Sequence, residues 1–142
     1  MQRPRNARHG IVALLIMAPG RWKPFQADIA KWVSELRKVS TVSAAKGVLG
    51  DSAAIDIVFT DTTLPDGDWT NVLTAVAESG RQAPVLVCLE DDQPATDRLV
   101  AERGGYRARL RPYHPASVHL IVLSALARVA NQNQTVSGRP IA

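Results

Sequence analysis

A single cysteine, Cys88, occurs in the 142 residues of this chain. That excludes an internal disulfide and any cysteine-rich metal site. Cys88 lies in an apolar run and reads as a small buried hydrophobe. Aromatic residues amount to 5%, and none interleaves the N-terminal arginines Arg3, Arg5 and Arg8. This basic arm therefore lacks the stacking groups of a nucleic-acid binder and reads as a solvated terminus. No apolar run is long enough to span a bilayer, since the best ends at Ala18. No small-residue cleavage site follows it before Trp22 and Lys23, so a signal peptide is not expected. The expectation is a cytoplasmic protein that contacts neither membrane nor nucleic acid.

Several kinds of chemistry are also missing. No glycine-rich phosphate loop follows any strand, and there is no nucleophile elbow. His9, His114 and His119 are not spaced with a cysteine or acid as metal ligands would be. Asp61, Asp66 and Asp68 lack the spacing and closing glutamate of a calcium loop.

What is present is a chain 46% hydrophobic and 21% charged, a globular composition at a length that suits one domain. Residues 1–10 form the basic arm, 11–130 the domain, and 131–142 a polar, loose tail. The organising stretch is Ile57 to Asp68. Ile57, Val58, Phe59 and Thr60 run straight into Asp61, and the turn residues Leu64, Pro65, Asp66 and Gly67 follow. An unbroken apolar run bounded by turn residues is a strand buried on both faces. Asp61 then stands at its carboxyl end, where ligands collect in open α/β sheets. A turn-forming role explains an aspartate there equally well.

In chain order, Ile11–Met17 is a second buried strand, ended by Ala18, Pro19 and Gly20. Phe25–Lys38 carries Ile29, Trp32, Val33 and Leu36 at helical spacing. Val39–Ala44 reads as a short edge strand. Ala45–Ala54 reads as a helix that Gly47 and Gly50 each weaken by about 1 kcal/mol. Asp68 caps a helix that starts at Trp69 and stops near Gly80. Trp69 reads as its anchor or as a shield over Asp61. Pro84–Leu89 is another buried strand. Asp91 or Asp92 caps a helix with Pro94 in its first turn. Tyr106–Leu110 alternates as a strand at a sheet edge does, and Ser117–Ala130 is a strongly apolar helix. Strands this apolar, alternating with helices, require a parallel sheet covered on both faces. Five such units fit a flavodoxin-like, doubly wound (βα)5 sandwich with a five-stranded parallel sheet of order 2-1-3-4-5.

At this point the chain resembles the receiver domain of two-component response regulators. The resemblance covers about Ile11 to Ala130. It rests on Asp56 through Asp61 to Leu64-Pro65-Asp66-Gly67, on Pro84-Val85-Leu86-Val87, and on Gly105 through Arg111-Pro112-Tyr113. It implies that Asp61 is the phosphoacceptor position and that the Thr63 backbone carbonyl is a metal ligand. It also implies a hydroxyl residue at Leu89, a lysine at Arg111, an aromatic switch position at Tyr113, and two acids just after the first strand. The chain departs at three of these. After Met17 come Ala18 and Pro19, and no acid appears until Asp28. Leu89 has no hydroxyl. Arg111 keeps the charge with another geometry, as the expected charge partner of Asp61. Asp61 and Thr63 alone are a poor cage for Mg²⁺, so no cofactor is expected and ordinary phosphorylation is weak or absent. Glu90, Asp91 and Asp92 could supply stray carboxylates, although helix capping explains them more simply.

The reading is therefore a degenerate receiver, not an enzyme, that signals by protein contact. Its expected partners are a sensor histidine kinase, another signalling protein, or a second copy docked through Pro94–Arg103, Tyr106–Arg111 and Ser117–Ala130. Leu120, Leu123 and Leu126 add apolar surface to that last helix beyond its buried face, although they could equally fill the sheet side. No output segment is expected after it. The alternatives are a working phosphoacceptor with other metal ligands, and a small flavodoxin-like enzyme or ligand-binder.

Overall fold

The computed structural model describes residues 10–51, 54–90, 94–110 and 113–138, with side chains through 128. Expectations for the arm before Gly10, for Asp91 and Asp92, for Arg111 and Pro112, and for the last four residues fall outside the described residues.

Twelve elements alternate along the described chain: β1 (Val12–Ile16), α1 (Lys23–Trp32), β2 (Glu35–Val39), α2 (Val42–Gly50), β3 (Ile57–Asp61), β4 (Thr63–Leu64), β5 (Gly67–Asp68), α3 (Trp69–Glu78), β6 (Val85–Leu89), α4 (Pro94–Glu102), β7 (Tyr106–Arg109) and α5 (Pro115–Gly138). Five strands make one parallel sheet in the order β2-β1-β3-β6-β7. Counted without the small β4–β5 hairpin, this is the expected order 2-1-3-4-5.

The three inner strands are the three apolar runs. β3 and β6 are buried at every position, because helices cover both faces. Alternate residues serve opposite layers. Leu15, Phe59 and Leu86 pack with Phe25 and Ile29 of α1 and Val118 and Val122 of α5. Leu14, Val58 and Val87 pack with Leu49 of α2, Val72 and Val76 of α3 and Val100 of α4. Gly104, at φ 90°, ends α4 in a conformation a side chain would resist.

The segment after β3 is stitched to the helices by its aspartates. Asp66 accepts from the backbone N–H groups of Val42 (2.7 Å) and Ser43 (3.0 Å), capping α2 from a distance. Asp68 accepts from the Thr70 backbone N–H at 2.9 Å, and the Asn71 side chain accepts from the Asp68 N–H at 2.9 Å, closing a capping box on α3. Gly67 sits where a Cβ would lie 2.5 Å from that same Asn71 oxygen, so the box requires glycine there.

Three boundaries differ from the sequence reading. The helix expected over Phe25–Lys38 stops at Trp32, and Glu35–Lys38 belongs to β2. β2 pairs only with β1 and has exposed positions along its length. An edge strand needs no apolar run, so the helical spacing of Leu36 was misleading. With β2 placed earlier, α2 starts at Val42, inside the strand expected over Val39–Ala44. Thr41 caps it by accepting from the Ala44 N–H at 3.0 Å. α5 runs on past Ala130 to Gly138, in place of the break expected there.

Asp66 and Asp68 are both held below the usual carboxylate range, Asp66 by the Val42 and Ser43 N–H groups and Asp68 chiefly by the Thr70 hydroxyl. A depressed carboxyl stabilises the fold above its unfolded value of about 3.9, and that contribution is lost as the pH falls through the native value. Replacing Asp68 by Ala should cost about 1 kcal/mol at neutral pH. In urea titrations the cost should shrink towards zero as the pH drops through that range.

Candidate functional site

Parallel pairing sets the site. Asp61 ends β3 opposite Cys88 of β6, and the preceding Thr60 lies opposite Ile16 of β1. The loop that leaves β1 therefore passes beside Asp61. Its sequence, Met17-Ala18-Pro19-Gly20-Arg21-Trp22, turns tightly: the Arg21 N–H donates to the Ala18 carbonyl at 3.1 Å, and Gly20 has φ 84°. Trp22 follows at φ 56°, the only non-glycine with positive φ among the described residues. Such a conformation costs of order 1–3 kcal/mol and persists where surrounding contacts impose it.

Those contacts converge on Arg21. Its Nε–H donates to Asp61 Oδ2 at 2.8 Å, and its Nη2 lies 3.4 Å from Glu90 Oε2. Its guanidinium stands over the Trp22 ring, 4.2 Å from the centroid. The Gln26 side chain, one turn into α1, donates to the Arg21 carbonyl. Asp61 itself is only 7% exposed, and its other oxygen, Oδ1, accepts from the Thr62 N–H at 2.9 Å. A carboxylate this buried needs a counter-charge, and Arg21 supplies it. The hydrogen bond to Asp61 raises the Arg21 pKa above its ordinary value, against some desolvation. Burial, then the Asp61 charge, push the Cys88 thiol well up, which leaves it protonated and unreactive.

The expected site residues fare differently. Asp61 stands at the carboxyl end of the central strand as read from the sequence. Leu89 is buried, at the end of β6. Thr63 is exposed and lies in the β4–β5 hairpin. Tyr113 packs edge-on to Phe25, and its hydroxyl donates to Asp28 of α1. The first acid after β1, Asp28, is thus committed to that tyrosine. Trp69 lies in the core layer with Val42 and Leu64, so it anchors α3. Glu90, which helix capping explained more simply, instead reaches the guanidinium beside Asp61.

Sequence reasoning missed Arg21. The resemblance directed attention to Arg111 as the charge partner, and Arg111 lies outside the described residues. The signal was available: β1 and β3 had to be neighbours, so the first cation in the loop after β1 falls next to Asp61.

A resident Mg²⁺ would require several oxygens in near-octahedral array. Here Arg21 pairs with two carboxylates, Asp61 and Glu90. Among the described residues no three acidic, histidine or cysteine side chains converge as a metal site. The described residues at this site, with a guanidinium on the Asp61 carboxylate, do not fit a resident divalent cation.

A second feature lies across the sheet. Asp97 of α4, buried, accepts from Arg107 at 3.1 Å and from Arg109. Beside it a cleft of about 360 Å³ runs between α4 and α5, lined by Ala101, Tyr106, Arg107, Leu120, Ile121 and Arg128 among others. Leu120 and Leu123 of α5 are 64% and 49% exposed. No helix among the described residues is long and apolar enough to cross a membrane.

An open, doubly wound α/β domain with a carboxylate at its switch point is thus defined. Solved structures narrow the fold to that of receiver domains. A response regulator receiver domain from Clostridium thermocellum superposes with a TM-score of 0.71 at 15% identity, over 83% of this chain and 95% of that one. The signal receiver domain of an HD domain-containing protein from Pseudomonas fluorescens Pf-5 gives 0.74 at 14% identity, over 95% and 99%. NtrX from Brucella abortus, solved in complex with ADP, gives 0.78 at 18% identity, over 92% of this chain and 30% of that one. No protein-family model and no curated protein sequence matches the chain.

Burial, then the bond to Asp28, raise the Tyr113 pKa well above that of an ordinary phenol. A raised native value stabilises the fold below the unfolded value near 10, and the contribution is lost as the pH climbs beyond it. Urea midpoints should therefore fall more steeply above about pH 10 for the wild type than for Tyr113→Phe. Parallel slopes would show that the phenol is free.

Proposed function

We propose that the chain is a receiver-like signalling domain of a two-component phosphorelay. It works by protein contact rather than as an enzyme, with Asp61 at the phosphoacceptor position and phosphoryl transfer to it weak or absent. The observation that carries this reading is the Arg21–Asp61 ion pair at 2.8 Å. A carboxylate that attacks a phosphoryl group brings two anions together, and a bound divalent cation ordinarily offsets that repulsion. Arg21 offsets the resting charge of Asp61 and occupies its Oδ2, while Oδ1 accepts from the Thr62 N–H. Leu89, buried and without a hydroxyl, offers a phosphoryl oxygen no hydrogen bond. Tyr113 is already held by Asp28.

A sensor histidine kinase or another signalling protein is the partner such a domain implies. Docking falls on the face of α4, β7 and α5, where Leu120 and Leu123 lie open beside the cleft. The same exposed leucines favour self-association through this face. A second reading, a working phosphoacceptor with unusual ligands, is favoured by one observation: Glu90 stands within reach of the same guanidinium as Asp61.

Acetyl phosphate or beryllofluoride with Mg²⁺, followed by intact mass, tests the first reading. No stoichiometric adduct is expected, and the wild type should match Asp61→Asn. A stoichiometric adduct absent from Asp61→Asn would establish the second reading. For self-association, light scattering over a concentration series should show the mass rising towards twice that of the chain. The rise should disappear in Leu123→Asp, and monomer at every concentration would remove the idea.

A further inference from the structure

The sheet ends at β7, with α4 against one face of that strand and α5 against the other. The cleft of about 360 Å³ between the two helices wraps around this edge. Successive side chains of a strand point to opposite faces, so β7 lines the cleft from both. Tyr106 lies in the α5 layer, and Arg107 reaches Asp97 of α4. On α5, Ile121, Ser124 and Arg128 follow at helical spacing along one wall.

The wall is apolar at Ala101, Leu120 and Ile121, and cationic at Arg107 and Arg128. Arg107 is anchored, because Asp97 Oδ1 accepts from its Nη1 at 3.1 Å. The other Asp97 oxygen accepts from Arg109. One carboxylate thus serves two guanidiniums, and one positive charge is left over. Arg128 stands over the Tyr106 ring, 5.7 Å from the centroid, with no carboxylate partner among the described residues. No acidic side chain lines the cleft among the described residues, and Glu102 of α4 points into solvent. The mouth of the cleft therefore carries about two uncompensated positive charges beside an apolar wall, with the Ser124 hydroxyl as a further donor.

We propose that this cleft binds a small phosphate monoester with a planar or apolar body, of about the size of a mononucleotide. A phosphate monoester carries about two negative charges at neutral pH and three acceptor oxygens. Guanidiniums match such oxygens with paired donors, and their planes also stack on rings. Arg107 and Arg128 would share the phosphoryl oxygens, with Ser124 donating to the remaining one. The body would lie along Ala101, Leu120 and Ile121. The volume is at the lower end of the range for small-molecule sites, roughly 300–1,000 Å³, which suits a ligand of this size. Nothing in this inference depends on whether Asp61 takes up a phosphoryl group, so it stands apart from the signalling reading.

The test is calorimetric titration of the whole chain at low salt with AMP, GMP and phenyl phosphate. Adenosine serves as the body alone and inorganic phosphate as the head alone. At least one of the three esters should bind, one per chain, and about tenfold or more tighter than adenosine or inorganic phosphate. Arg107→Gln and Arg128→Gln should each weaken that ester about tenfold. Ser124→Trp, which fills the cleft from an exposed position of α5, should abolish binding. Amide shifts on adding the ester should cluster at Gly105, Tyr106 and Ser124. If Arg107→Gln does not fold, because Asp97 has lost one of its two partners, the exposed Arg128 and Ser124 carry the test. The proposal is overturned if none of the esters binds with a Kd below about 10 mM. It is equally overturned if Arg128→Gln and Ser124→Trp bind like the wild type, or if inorganic phosphate binds as tightly as the esters. Shifts centred on another part of the molecule would also end it. The signalling reading has a separate fate: an adduct on Asp61 would sink that reading and leave the cleft as it is, and an empty cleft would leave that reading standing.

Discussion

A buried anion beside a fastened cation is the constraint around which this molecule is arranged. Asp61 is nearly closed to solvent, and an isolated charge in such a place would cost several kcal/mol. The compensation comes from a loop forty residues earlier in the chain, which only the parallel pairing of β1 with β3 can bring alongside. Sheet order, the tight turn after β1 and the left-handed Trp22 all serve this one juxtaposition. The apolar strands stabilise the sheet as a whole, while the ion pair determines the chemical character of its carboxyl edge.

The same pair links parts of the molecule that are otherwise separate. Arg21 is continuous with α1 through Trp22 and Gln26, and its guanidinium reaches Glu90, which opens the segment leading to α4. On the other flank Tyr113, just before α5, is bonded to Asp28 of α1. α1 is thus joined by polar contacts to the segments that precede both α4 and α5. Contiguous contacts thus run from Asp61 through Arg21 and α1 to Tyr113, just before α5.

The fold was legible where burial leaves an unambiguous pattern. Ile11–Met17, Ile57–Thr60 and Pro84–Leu89 are unbroken apolar runs, and no helix or loop explains three of them spaced through an alternating chain. Asp68 as a helix cap and Gly80 as a stop follow from local backbone chemistry, which acts at short range. β2 was not legible. Glu35–Val39 hydrogen-bonds to one neighbour only and keeps charged side chains in water, so its sequence carries no strand signal strong enough to stop the helical pattern before it. At the site, Asp61 was legible because a strand end marks itself. Arg21 was not, because its role depends on a contact across the sheet that no local spacing encodes, and because Arg111 offered a more familiar answer.

The sheet ends on one side in β2 and on the other in β7. β2 carries Glu35, Arg37 and Lys38, and β7 carries Arg107 and Arg109. Unpaired strand edges invite further strands, and charged side chains along them are the usual deterrent. With both margins guarded in this way, growth of the sheet by a neighbouring chain is discouraged from either direction. The molecule is thereby steered away from fibrous stacking through the margins of its sheet.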